Sequence, residues 1–340
     1  MKRNINYASR LQAYCYHSRR CCYFRGSRIC TCDSSRTRFI APKKQLKILL
    51  WNLQDLFIFL DKYQDEDLSG LAEGKWQQLT ASFKANKSLD KTRAIAEVIK
   101  SVSPDICLFT EVGGQESLKN LNKHFLDAKY SVYCEASNSD RGIDLGILVP
   151  QHLEHPYTLY LHRHSVFARG VYQLDMDIDQ QRYTFLLTHL KSKLSKGDDF
   201  EGRAQRAEEV QQLNQIFQDC SQNEKNPVFI CGDLNATYGP DNHEPELEIL
   251  ANKSGLIDAF EVLKKPIFDR ATYLYYNTAG EVHLMQLDYF LVSSRWGHLI
   301  DQSSSVLDFH GGTRQTLPAD FGQKLLQPSD HYPLCIVLNI

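Results

Sequence analysis

From residue 45 onward, short apolar runs alternate with longer segments of helical periodicity, and no internal repeat or low-complexity tract interrupts them. The runs at 46–51, 106–110, 130–135, 143–149, 171–178, 183–190, 228–231, 271–276, 287–292 and 334–340 read as about ten strands. Helical spacing predicts a helix over 91–102, where Ile95, Val98, Ile99 and Val102 share one face, and another over 204–217 through Val210, Leu213, Ile216 and Phe217. A third helix is expected over 244–252. Many strands with few long helices predict an α/β fold in which two sheets pack together and helices cover the outsides. The polar and aromatic stretch 55–90, between the first strand and the first helix, is long enough to be a functional loop.

Composition narrows this little: 42% apolar and 24% charged residues in 340 are ordinary for a folded chain and exclude disorder as the dominant state. No stretch approaches the roughly 18 uncharged apolar residues of a membrane-spanning helix, so no membrane span is expected. Charge is more telling. Of 39 Lys and Arg and 41 Asp and Glu, residues 1–44 hold eleven bases and the single acid Asp33, a charge of +10; the remainder holds 28 bases and 40 acids, a charge of -12. An acidic body does not draw in a polyanion through its overall field, so phosphate chemistry here must rest on local features such as a bound metal.

Cysteines divide at the same place. Cys15, Cys21, Cys22, Cys30 and Cys32 crowd the leader, whereas Cys107, Cys231 and Cys335 lie within apolar runs and read as reduced core thiols of a cytoplasmic protein. The leader carries neither a Cys-x-x-Cys pair nor paired His ligands, which argues against a zinc site. Residues 1–44 therefore form a basic leader separate from a domain over 45–340. The leader is expected to be a disordered extension or not part of the mature fold, with translation starting near Lys43 as a third reading; its Arg- and Ser-rich, acid-poor character resembles a transit peptide.

Candidate chemistry gathers where apolar runs end. The runs close on Asn52, Glu111, His189 and Asp233 with Asn235, and a Pro-Ser-Asp-His segment, residues 328–331, precedes the last run. A polar residue closing one strand is ordinary, because the chain must turn into solvent. Its repetition points to a site at the strand ends, where α/β proteins collect ligands and catalytic groups.

Trp51-Asn52, Glu111, Thr188-His189-Leu190, Gly232-Asp233-Leu234-Asn235, Leu287-Asp288-Tyr289 and Ser329-Asp330-His331, in that order, resemble the signature of the endonuclease/exonuclease/phosphatase superfamily. That superfamily includes pancreatic deoxyribonuclease, abasic-site endonucleases, inositol polyphosphate 5-phosphatases, neutral sphingomyelinases and deadenylases. The resemblance covers about 46–340 and implies a DNase I-like four-layer α/β sandwich, two central mixed β-sheets flanked by helices, with a divalent cation in a cleft at one edge. It implies metal ligation by Glu111, Asn52 and Asp330, contact with nucleophile and phosphate by Asp233 and Asn235, and a catalytic His331 held by Asp288. His189 matches a second histidine of the deoxyribonuclease branch, with Asp144 as its expected carboxylate. Two departures stand out: Gln54 occupies a position that is usually acidic in abasic-site enzymes, with Asp55 following it, and His189 replaces their tyrosine.

These residue types suit the chemistry independently. An anionic phosphate ester repels hydroxide unless positive charge and donors are preorganised around its oxygens. Carboxylates such as Glu111 and Asp330 suit Mg²⁺ or Mn²⁺, which need few protein ligands. An imidazole at His331 or His189 exchanges protons near neutral pH, and a carboxylate fixes its tautomer. Arg169, Lys191, Lys193, Arg203 and Arg206 surround the His189 strand in sequence; Lys191 and Arg169 are the candidate phosphate ligands, and a solvated helix face is the simpler reading of the other three.

The expected function is a divalent-metal-dependent phosphoesterase, nuclease-like, hydrolysing phosphodiesters by in-line attack of an activated water, with nucleic acid among its candidate substrates and no obligate protein partner. The alternatives are a phosphatase on inositol phosphates or other esters, a sphingomyelinase-like lipase, or a binding module that has lost turnover. The complete residue set speaks against the last. Loops at 55–90, 197–202 and 308–323 are expected to set the substrate.

Overall fold

A computed structural model describes residues 44–194, 199–239 and 243–340. The expectations for the leader, and part of the 197–202 loop, lie outside the described residues. Strand β1 (Gln45–Leu56) runs parallel to β2 (Ile106–Val112), and the crossover that a parallel pair requires carries helices α1 (Glu73–Gln78) and α2 (Leu89–Val102). Helix α3 (Gly114–Phe125) follows, then β3 (Tyr130–Tyr133) and β4 (Asp144–Pro150). Strands β5 (Tyr157–His162), β6 (Val171–Ile178) and β7 (Gln181–His189) form an antiparallel meander, and α4 (Arg203–Cys220) crosses over to β8 (Val228–Asp233), parallel to β7. The chain continues through β9 (Leu256–Asp258), α5 (Ala259–Val262), α6 (Ile267–Arg270), β10 (Tyr273–Tyr276), β11 (Val282–Met285) and β12 (Asp288–Ser293). It ends with β13 (Ser305–Val306), α7 (Phe321–Leu326) and β14 (Leu334–Asn339).

Two six-stranded mixed sheets result, ordered β13-β14-β1-β2-β4-β3 and β5-β6-β7-β8-β12-β9, with β10 and β11 as a separate hairpin. Period-two alternation explains how they pack. In β1, Leu46, Ile48 and Leu50 enter the core between the sheets, where they meet Phe185, Leu187, Phe229, Cys231 and Phe290 of the second sheet. The intervening Leu49, Trp51 and Leu53 face outward and are covered by α2 and α3 through Ile95, Ile99, Leu118 and Leu121. On the second sheet Leu186 and Ile230 point outward under Val210 and Leu213 of α4. Each such side chain contributes about 1.5–3 kcal/mol on burial. The layers are helix, sheet, sheet, helix, as the resemblance implied.

Several elements differ from expectation. The helix expected over 244–252 is present in irregular form, a 3-10 helix over Pro245–Leu247 followed by a π-helix over Ile249–Lys253. Helix α3 is not among the helices expected from the sequence; Gly114, its first residue, takes a positive φ of 82°. The 55–90 stretch is more than a polar loop, since Ile58 and Trp76 are fully buried and the Trp76 indole donates to Lys87 O at 2.9 Å. The five described cysteines are free, and Cys107, Cys231 and Cys335 are buried as predicted.

Candidate active site

The ends of the two parallel pairs meet across the gap between the sheets. Asn52 of β1 donates through Nδ2 to Asp233 Oδ2 of β8 at 2.9 Å, which ties one sheet to the other. The register of β7 on β8 places His189 opposite Asp233. Gly232 makes that approach possible: with φ at +140°, a Cβ there would lie 1.8 Å from Thr188 O, so no side chain fits. Asp233 Oδ1 accepts from Asn235 N at 2.8 Å, an Asx turn that holds Asn235 at a φ of +52° while its Nδ2 donates to Leu190 O at 3.1 Å.

His331 sits beside this junction. Its Nδ1–H donates to Asp288 Oδ2 at 2.7 Å, and its Nε2 lies 4.0 Å from Asp233 Oδ2. The backbone around it is fixed by Ser329, whose Oγ donates to Asn52 O at 2.7 Å and accepts from His331 N at 3.1 Å, and by the Trp51 indole donating to His331 O at 2.8 Å. Burial works against a charged imidazole here, but the Asp288 carboxylate, helped by Asp330 and Asp233, outweighs it and pushes His331 up to about 10. Asp233 is pushed up to about 7 by burial and the Asp288 charge, with His331 pulling the other way. His189 differs from both: burial, then Arg169, His331 and Arg141, hold it well below the usual imidazole range, so it is neutral. Its Nε2 lies 3.7 Å from Asp233 Oδ2 and 4.0 Å from Glu111 Oε1, beyond hydrogen-bond distance of either, and its Nδ1 has no partner among the described residues.

Glu111 also rests on special backbone. It adopts a φ of +58°, and Gln54 and Asp55 across from it take 48° and 53°, where the pairing of β1 with β2 breaks register. Asp55 N donates to Glu111 Oε2 at 3.1 Å, and Arg141 Nη2 bridges Asp55 Oδ1 at 2.6 Å and Glu111 Oε2 at 3.4 Å. Burial raises Glu111, Arg141 lowers it, and Asp55 and Asp330 raise it again.

Among the described residues one set of three donors, Asp233, Asp288 and His331, lies close enough together to ligate an ion, and Asp288 Oδ1 is buried with no partner among the described residues. Glu111 offers a further hard oxygen nearby; Asp55 and Asp330 bear on its charge, and Arg141 pairs with Glu111 and Asp55. His331 Nδ1 is already engaged by Asp288 in that cluster, which suits proton holding better. Asn52 Oδ1 accepts from Gln54 N at 2.9 Å, leaving one lone pair for a metal.

Some expected site residues are placed elsewhere. Asp144 does not pair with His189: it opens β4 in the first sheet, opposite Val112, and its Oδ1 accepts from Ser137 N at 2.8 Å to close the preceding loop. Lys191 turns its ammonium to the carbonyls of Ser192 and Leu194 at 3.1 and 3.2 Å, capping its own loop rather than facing the cleft. Arg206 is fully buried against Glu246 and Glu244, Lys193 pairs with Glu244, and Arg203 pairs with Glu201 at 2.9 Å. Arg169 is buried, feels the charges of Glu111 and Asp233, and its Nε and Nη1 have no partner among the described residues. The sequence reading missed Arg141 as a site residue, though it lies only three positions before Asp144, and missed Lys87, whose Nζ reaches Gln54 O at 2.8 Å.

A four-layer sandwich with carboxylates, amides and imidazoles at the ends of its central strands is the arrangement of DNase I-like proteins, in which phosphoester bonds are hydrolysed. The chain belongs to the Endonuclease/Exonuclease/phosphatase family, whose pattern matches residues 50–331. Among solved structures it resembles truncated TDP2 of Caenorhabditis elegans, at 20% identity and a TM-score of 0.54 over 87% of this chain and 98% of that one. TDP2 of D. rerio complexed with a single-strand DNA product aligns with 17% identity and a TM-score of 0.55 over 88% and 100% of the two chains. The catalytic domain of human Nocturnin with bound sulfate aligns with 17% identity and a TM-score of 0.53 over 86% and 94%. At these identities the likeness is one of fold. No curated protein sequence matches the chain. Among the described residues no helix is long and apolar enough to cross a membrane.

Proposed function

We propose that the chain is a divalent-metal-dependent phosphodiesterase of the nuclease type, with Asp233, His331, Asp288, His189, Asn52 and Asn235 around the scissile phosphate and Glu111 and Asp330 holding Mg²⁺ or Mn²⁺. The observation that carries this reading is the buried proton-holding unit Asp288–His331–Asp233, in which Asp233 is the group poised near 7. A base is most effective when its proton affinity lies near the working pH, so Asp233 takes the proton of the attacking water. His331 Nε2, 4.0 Å from the same carboxylate oxygen, orients that water from the same side, and Asp288 fixes the ring. The water oxygen bonds to phosphorus as the opposite P–O bond breaks; the electron pair stays on the leaving oxygen, which is protonated from solvent. Neutral His189 and the Asn235 amide border the same junction and meet the phosphoryl oxygens, with Arg169 supplying positive charge alongside. A bound cation would add positive charge against those oxygens.

Products distinguish the alternatives. With Mg²⁺ or Mn²⁺ the protein should shorten oligonucleotides and cleave bis-p-nitrophenyl phosphate. Release of inorganic phosphate from monoesters alone would make it a phosphatase, and absence of turnover on either class would make it a binding protein. We also propose that the domain over 45–340 acts without the leader, because residues 1–44 differ from it in charge and cysteine content.

A further inference from the structure

Beside Asp330 lies a pocket of about 200 Å³ bounded by Lys91, Lys324, Tyr273, Phe321 and Leu325. Each cation that lines it makes one bond, to a backbone carbonyl and not to a carboxylate: Lys91 Nζ donates to Leu325 O at 2.7 Å and Lys324 Nζ to Leu274 O at 2.6 Å. Lys87 Nζ likewise makes one, to the carbonyl of Gln54, which also borders the pocket. Among the described residues no carboxylate comes within ion-pair distance of these three lysines. Lys324 is held by cation–π contact, its Nζ 3.8 Å from the centre of the Tyr273 ring, although only 6% of the residue is exposed. Burial lowers the proton affinity of all three, and Asp330 opposes it in each. In a body that carries 28 bases against 40 acids, the two lysines that line this pocket, Lys91 and the buried Lys324, with no carboxylate at ion-pair distance among the described residues, form a local positive site beside Asp330 that suits an anion.

We infer that this pocket receives the phosphate of the nucleotide next to the scissile one, with its base against Phe321, so that the substrate is a single-stranded polynucleotide. The inference rests on the phosphodiesterase reading above and narrows its substrate. The volume is below the roughly 300 Å³ of a pocket that engulfs a drug-sized ligand, so it fits one unit of a chain. Phe321 and Leu325 are 54% and 55% exposed at the rim, which an inositol phosphate leaves unused and a base covers. A base reaches an aromatic ring in this way only when unstacked, as in a single strand.

The test is binding of fluorescein-labelled decathymidylate to the full chain in EDTA, where no metal supports turnover, at 50–200 mM salt. Lys91→Gln should weaken binding about tenfold and reduce the slope of log K against log salt by about 0.7, the value of one single-strand phosphate contact. Phe321→Ala should weaken it about tenfold with no change in slope. Unchanged affinity and slope in folded Lys91→Gln would overturn the subsite. If inositol hexakisphosphate displaced the strand in proportion to its phosphates and Phe321→Ala changed nothing, the pocket would take phosphate without a base and the nucleotide assignment would fall. Lys324→Gln is a second variant, checked by melting temperature because it also loses the bond to Leu274. Strand binding through Lys91 with no cleavage after Mg²⁺ addition would defeat the hydrolase reading and leave the subsite; cleavage without Lys91 dependence would do the reverse.

Discussion

His189 and Asp233 are register partners across the parallel pair β7 and β8, with Nε2 3.7 Å from Oδ2. The spacing is too long for a hydrogen bond and short enough for a water to bridge. It exists because Gly232 lets the strands close on Thr188, so a strand-packing requirement and a chemical one are met by the same residue. Gly232→Ala should therefore abolish folding or activity together, measured as soluble yield and turnover.

Asp144 separates a structural carboxylate from a functional one. Because it accepts from Ser137 N and does not reach His189, Asp144→Ala should cost about 1–3 kcal/mol of stability and leave turnover per folded molecule unchanged. A loss of turnover without loss of melting temperature would restore the pairing with His189.

The ends of the apolar runs show where most of the candidate site residues come together, because a rigid strand fixes its last side chain: Asn52, Glu111, His189, Asp233 and Asp288 all sit in or at the ends of strands. Strand β6 matches its predicted bounds, 171–178, since its alternation is strong. Strand β5 is an edge strand with alternate residues in solvent, and β11 is exposed along half its length, so neither shows a clear apolar run. The predicted 244–252 helix breaks up behind Pro245, and α3 hides behind its glycine pair. The placement of Arg141, Lys87 and Lys91 beside the candidate site could not be read, because it arises from segments distant in sequence meeting at Asp55, Gln54 and Leu325.

Stability should depend on pH through His331. Its proton affinity rises from the ordinary 6.5 to about 10 on folding, so the folded chain keeps a proton that the unfolded chain releases above 6.5. The contribution is full below 6.5 and is lost as pH rises toward about 10. Melting temperatures of wild type and His331→Ala over pH 6–10 should converge toward the alkaline end; parallel curves would contradict the pairing with Asp288.

His331 and Asp288 should fail as one unit. Asp288→Asn in a His331→Ala background should cost little beyond His331→Ala alone, whereas in a His189→Ala background it should cost nearly its full single-variant factor. Equal additional losses in both backgrounds would contradict the assignment.

Glu111→Gln should raise the concentration of Mg²⁺ or Mn²⁺ needed for half-maximal activity, because it removes a hard charged ligand. A metal titration checks this, and full activity in excess EDTA would remove the metal from the account.

Hydrolysis of bis-p-nitrophenyl phosphate by folded His331→Ala, measured beside wild type at the same Mg²⁺ concentration and with melting temperatures recorded for both, tests the active-site assignment most directly. A positioned proton-handling group contributes about 10² to 10⁴ in rate, so turnover should fall by that factor while the melting transition persists. Wild-type turnover in the folded variant would show that the chemistry happens elsewhere.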